Sequence, residues 1–168
     1  KLAWASASFA ILADIAMGTL GGKLKAKQKL TGRFADILSW LYIGFATIRR
    51  YELEGNKQED LPLFRYSMQY AFCEMQKAFD GILSNITVPG LTWFFRIIIS
   101  PWSRFNTIGV EISDDLSHLV ADAMLNNENI SLDFKEGIYV PKDLNMQVGR
   151  LENAYRVERE SEASERKI

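Results

Sequence analysis

The sequence predicts an all-α protein: an antiparallel up-and-down bundle of four or five helices, then an irregular C-terminal stretch and a charged terminal helix. Three observations predict it. Apolar residues recur at spacings of three and four along several segments, the period of a helix with one buried face. The connectors between those segments are short, which favours antiparallel neighbours. Only four prolines interrupt 168 residues, so few positions forbid helix. The bundle is expected over residues 1–125, and the irregular segment with its charged helix over 126–168.

The first helix is expected from Leu2 to Leu20. It is alanine-rich, apolar on most sides, and stopped by Gly21 and Gly22, because glycine accepts the left-handed conformation that closes a helix. A basic connector follows, Lys23 to Lys29. The second helix is expected from Thr31 to Glu54, with Phe34, Ile37, Leu38, Leu41, Tyr42, Phe45 and Ile48 on its apolar side. Asp60 and Pro62 mark the start of a third, Leu61 to Ile86, since aspartate caps helices and proline is tolerated in the first turn. Its stripe is Met68, Phe72, Met75, Phe79, Leu83 and Ile86. Pro89 and Gly90 break the chain, and Leu91 to Ser100 reads as a short apolar helix ended by Pro101. Ser113, with Asp114 and Asp115 behind it, signals another helix, whose inner side is Leu116, Leu119, Val120 and Ala123. Residues 126–143 read as irregular, with an extended piece at Gly137 to Val140. Met146 to Ile168 reads as a solvated helix, with five acids and five bases from Arg150 onward.

The chain is long enough for one domain with a real core. Its net charge of −1 gives no global field toward nucleic acid, so no nucleic-acid partner is expected. Cys73 is the only cysteine, which rules out an internal disulfide. The chain starts at Lys1, directly in a helical pattern, and reads as a piece of a longer polypeptide.

The chemistry-bearing residues are sparse. There is no glycine-rich phosphate loop, no H-E-x-x-H pair and no cysteine cluster. His118 is the sole histidine, too little for a histidine-based metal site or a Ser-His-Asp triad, and it reads as a helix-surface or packed imidazole. Cys73 reads as a small buried hydrophobe. Asn85-Ile86-Thr87 matches a glycosylation acceptor, which matters only in a secreted protein. Asp14 is the one acid in the apolar run Phe9 to Gly22. It could be a catalytic base, a charge within a membrane span, or half of a structural ion pair. A span needs about 20 apolar residues, and a central aspartate costs about 2.5–3.5 kcal/mol on insertion scales. A general base needs a partner, and no companion stands at fixed spacing. The expectation is therefore a structural pair between Asp14 and Arg33 across a hairpin of the first two helices. Lys23, Lys25, Lys27 and Lys29 are the candidates for an anionic contact with phosphate groups or lipid, against the simpler reading of a solvated turn. Trp93, Phe94, Phe95 and Trp102 are the candidates for membrane contact, against core burial of the same stretch.

Several stretches carry a family resemblance. "KLAWASASFAILADIAMGTLGGKLKAKQKLTGRFADILSWLYIGFATIRRYELEG…EDLPL" is similar to the C-terminal region of bacterial FadE-type acyl-CoA dehydrogenases. The matching features are Asp14 in an alanine-rich helix, the turn Gly21-Gly22-Lys23-Leu24-Lys25, and the helix bearing Arg33, Asp36, Leu38, Ser39, Leu41 and Tyr42. "EGIYVPKD…VGRLENAYR" and the closing "ERKI" resemble the segment beyond the bundle. The family's Phe-Pro-Leu-Gly turn is replaced at Ile98 to Phe105 by Ser100, Trp102 and Ser103.

The resemblance implies a parent enzyme that uses FAD to introduce an α,β double bond into fatty acyl-CoA, the first step of β-oxidation. In that chemistry a glutamate removes the α-proton and flavin N5 takes the β-hydride, both in upstream domains. No catalytic, cofactor-binding or metal-binding residue is assigned to this stretch, and the piece alone is expected to be inactive. The expected role is non-catalytic: assembly, packing on the catalytic domains, or membrane association, as in the C-terminal domain of very-long-chain acyl-CoA dehydrogenases. The implied partners are the upstream domains, a second copy of the chain and the inner-membrane surface, with a cytoplasmic location. The alternative is an independent helical adaptor that binds a partner helix, in a groove of Met68, Met75 and Phe79, or binds an anionic membrane surface.

Overall fold

The computed structural model describes residues 1–87, 90 and 92–165, and the described residues contain helices and no strand. The all-α expectation holds. Helix α1, Leu2–Leu20, turns Leu2, Ala5, Leu12, Ala16 and Leu20 inward. Gly21 ends it at φ +49°, where its N–H donates to the Met17 carbonyl, and a side chain there would strain the backbone. A 3₁₀ turn, Gly21–Ala26, reverses the chain into α2, Gln28–Leu53. A second 3₁₀ turn, Gln58–Asp60, leads into α3, Leu61–Asn85, with Pro62 in the first turn as expected.

Helices α2 and α3 run antiparallel, and side chains mark the whole seam. Tyr51 stacks on Phe64 at 4.5 Å, and Trp40 meets Tyr70 edge-on at 5.3 Å. Further along, Arg33 lies against Gly81, and Lys27 Nζ donates to Thr87 Oγ1 at 2.5 Å. Helix α1 is antiparallel to α2, with Leu2 against Gly44 and Phe9 edge-on to Phe34 at 6.0 Å. The centre holds Ile37, Met75, Ile82 and Ile86, all fully enclosed. Burying each such side chain stabilises the fold by about 1.5–3 kcal/mol.

The expected stop at Pro101 is not observed. Helix α4, Thr92–Phe94, passes through a π-helical turn, Phe95–Ile99, into α5, Ser100–Phe105. Proline inside an α-helix loses a ladder bond and collides with the carbonyl four residues back. Pro101 is the second residue of α5, directly after the π-helical turn, a first-turn position where proline's missing N–H costs little. Pro89, expected to break the chain, and Leu91, expected to start this helix, lie outside the described residues.

Residues 106–113 then cross α3 as irregular chain. Lys1 Nζ donates to the Ile108 carbonyl at 2.9 Å. A methyl group added to Gly109 would collide with the main chain of Phe72 and Cys73, so glycine is required for this approach. Helix α6, Asp114–Asn126, begins as expected: Ser113 Oγ accepts from the Leu116 N–H at 3.3 Å. Its Leu119, expected inside, is exposed, because only Leu116, Val120 and Ala123 turn toward the bundle.

The chain divides into two compact units, Lys1–Ile130 and Ser131–Ile168. The sequence-based boundary after residue 125 falls just before that division. The irregular stretch expected over 126–143 contains a helix, α7, Glu128–Lys135, started by the Asn127 side chain, whose Oδ1 accepts from the Ile130 N–H at 3.4 Å. Gly137 to Val140 forms no strand, for among the described residues there is no strand to pair with it. Helix α8, Gln147–Glu165, is charge-rich as expected. Ahead of it Asp143 Oδ1 accepts from Asn145 N–H at 2.9 Å, and Gly149 packs against the carbonyls of Pro141 and Asp143. Arg166, Lys167 and Ile168 of the closing motif lie outside the described residues.

Candidate functional site

The expected pair between Asp14 and Arg33 does not form. Asp14 is exposed, and no ion pair joins it to Arg33 among the described residues. The reason is angular. Each residue turns an α-helix by about 100°. Leu12 and Ala16 are buried, so Asp14, two residues from each, points about 200° away from both, to the outside. Arg33 lies on the other flank of α2, toward α3. A methyl group on Gly81 would sit 2.5 Å from Arg33 Nε and 2.8 Å from Cδ, so this glycine opens the space that seats the side chain.

Of the four lysines, Lys23, Lys25 and Lys29 are exposed, while Lys27 is half-buried and tied to Thr87. All four belong to the turn between α1 and α2 or to its margins, at the end of the bundle where α3 also finishes. Of the four aromatic candidates, Trp93 is exposed and Phe94 packs against the core, with the two rings edge-on at 6.2 Å. The side chains of Phe95 and Trp102 lie outside the described residues. Met68, Met75 and Phe79 are buried between the helices, so no open groove exists there for a partner helix. His118 is on the surface, and Cys73 is half-buried rather than enclosed. Asn85 Nδ2 donates to the Gly81 carbonyl at 2.8 Å, closing the end of α3. Lys77 bonds Glu74 at 2.7 Å, and this hydrogen bond holds its ammonium above the ordinary lysine pKa. No three His, Cys, Asp or Glu residues converge on a metal position among the described residues.

Two arrangements escaped the sequence reading. The first is a polar network inside the bundle. Gln76 is buried; its Oε1 accepts from the Ile108 N–H at 2.9 Å, and its Nε2 donates to Asp80 Oδ1 at 3.0 Å. Ser103 Oγ also donates to Asp80 Oδ1, at 3.2 Å. This network ties two stretches to α3: the crossing segment at Ile108, and α5 at Ser103, where the family turn is replaced. A glutamine next to Met75 in an apolar stripe was the available signal.

The second is the outer side of α1. Trp4, Ile11 and Met17 are exposed at 47%, 61% and 56%, alongside Ala3, Ala7, Ala10 and Gly18, with Asp14 as the only charge among them. Leu2–Ala26 is the one helical stretch among the described residues that is long and apolar enough to cross a membrane by length and composition. Its inner side, Leu2, Ala5, Leu12, Ala16 and Leu20, is part of the bundle core. On the neighbouring helix Leu38, Tyr42 and Phe45 are exposed, although the sequence stripe included them, because α1 covers only Phe34, Ile37 and Leu41.

No solved structure matches the chain. A family model does, over residues 1–168, and it describes the acyl-CoA dehydrogenase C-terminal region of bacterial type.

Proposed function

Since the chain belongs to the bacterial-type acyl-CoA dehydrogenase C-terminal family, we propose that it is a non-catalytic module that packs on the catalytic domains of its parent through the outer face of α1. The parent chemistry in this reading is FAD-dependent α,β-dehydrogenation of fatty acyl-CoA in β-oxidation, with the flavin held by residues outside this chain. One observation carries the reading: Trp4, Ile11 and Met17 on the outer side of α1 are open to water, with Asp14 the one charge among them. A helix face that exposes several large apolar side chains suits an interaction site. Covering each of these side chains gains about 1.5–3 kcal/mol.

The test uses the full-length enzyme with Ile11→Lys. Limited proteolysis ahead of Lys1 accelerates, and amide exchange over Leu2–Leu20 rises, while FAD content stays at the wild-type level. Unchanged proteolysis and exchange would overturn the packing surface. A second copy of the chain is the competing occupant of the same face, and a mass measurement in solution separates the two.

A second reading has its own observation. Trp93, Ile97 and Ile98 are exposed at 60%, 68% and 46% on the short helical segment after α3, a composition that suits a membrane interface. In this reading the cytoplasmic enzyme touches the inner-membrane surface there. Flotation with liposomes at high salt tests it: Trp93→Ser with Ile97→Ser abolishes binding, and retained binding removes the reading.

A further inference from the structure

Arg33 is half-buried between α2 and α3 and has no ion-pair or hydrogen-bond partner among the described residues. Its position is built, not incidental. Glycine in the middle of a helix is unfavourable relative to alanine, yet Gly81 stands in α3 where a methyl group would strike the Arg33 side chain. Lys29 lies one turn before Arg33 on the same side of α2. Lys27 reaches across the same seam to Thr87 Oγ1. Lys27 and Arg33 therefore both reach toward α3, and Lys29 stands exposed between them, all within about two turns of chain.

The local acids do not balance them. No acid occurs between Ile15 and Ala35. Asp36 follows Arg33 by three residues but is exposed and forms no ion pair with it. Asp80, next to Gly81 on α3, forms no ion pair with Arg33 and accepts hydrogen bonds from Gln76 and Ser103 instead. The start of α2 adds to the imbalance. Its first turn holds no acid, and the Lys27 side chain does not cap it. Cations there oppose the positive end of the helix dipole instead of offsetting it. A protein that seats cations against its own dipole and leaves an arginine unpaired has left a place for an anion.

The geometry points to a phosphate-binding site at this end of the α2–α3 seam, with Arg33 as the fork that fixes orientation and Lys27 and Lys29 as flanking charges. Arginine matches the paired oxygens of a phosphate, and lysine adds point charge. Several cations in one seam favour a ligand with more than one negative charge over a single carboxylate. The phosphate belongs to a soluble phosphate compound or to a lipid headgroup. The site lies away from the outer face of α1 and does not depend on the packing proposed there.

Two titrations of the full-length protein test it at low salt: inorganic pyrophosphate by calorimetry, and phosphatidylcholine vesicles containing phosphatidylglycerol by sedimentation. Binding in the first identifies a soluble phosphate, and binding in the second alone identifies a headgroup. Arg33→Gln weakens the productive arm by about tenfold, Lys29→Gln by a smaller factor, and both effects shrink as salt rises. Gly81→Ala weakens binding without removing any charge, because it displaces Arg33. Lys29 is exposed, so its variant keeps the test decisive if Arg33→Gln does not fold. Absence of binding in both arms overturns the site. So does wild-type affinity in the Lys29 and Gly81 variants, or sensitivity confined to Lys23 and Lys25.

Discussion

Helices α1 and α3 are both rich in apolar residues, but the bundle uses them differently. Along α3, Met68, Met75, Phe79, Ile82 and Leu83 are enclosed, and the buried Gln76 among them holds the crossing segment. Along α1, one side is enclosed and the opposite side is nearly as apolar and open. The difference teaches that burial follows periodicity only where apolar and polar residues alternate at the helical period. A helix apolar on all sides gives half its surface to its own bundle and leaves half for something else.

Substitutions can break or sharpen that contrast. The largest effect is expected at the centre of α3: Ile82→Ala removes a fully buried side chain and costs about 2–5 kcal/mol, read as a lower denaturant midpoint. An intermediate effect is expected at Gln76→Leu. It leaves the Ile108 N–H without its acceptor and costs about 1–3 kcal/mol, with amide exchange at Ile108 rising before the rest of the bundle. The smallest is expected on the outer side of α1. Asp14→Asn changes stability by less than about 0.5 kcal/mol, because the carboxylate stands in solvent. A loss as large as that of Ile82→Ala would mean that Asp14 is paired after all and that the two sides of α1 have been misjudged.

Much of the fold was legible because its signals are local. Gly21 at a left-handed φ, Pro62 in a first turn and the Ser113 cap each act through their own backbone. The α3 stripe was legible because its apolar residues keep one period. What stayed hidden depends on neighbours. Whether Leu38, Tyr42 and Phe45 are covered is decided by where α1 sits, not by α2. Asp14 and Arg33 were paired from their places in a hairpin, yet their angles around the two helices aim them apart. The Leu12 and Ala16 positions carried that angle, but an alanine-rich helix offers little contrast for reading it. The role of Gln76 depends on a contact 32 residues away in the chain, which no short window contains. The seam around Arg33 was half legible: the run of lysines stood out, and the glycine that makes room for the arginine did not.

At Gly109 two stretches of main chain meet with no side chain between them. Side chains in a protein interior can shift rotamers and absorb a small displacement, whereas packed backbone has low compressibility. Any side chain larger than hydrogen at residue 109 would have to push residues 106–113 off α3, so the seating of this segment depends on a single hydrogen atom.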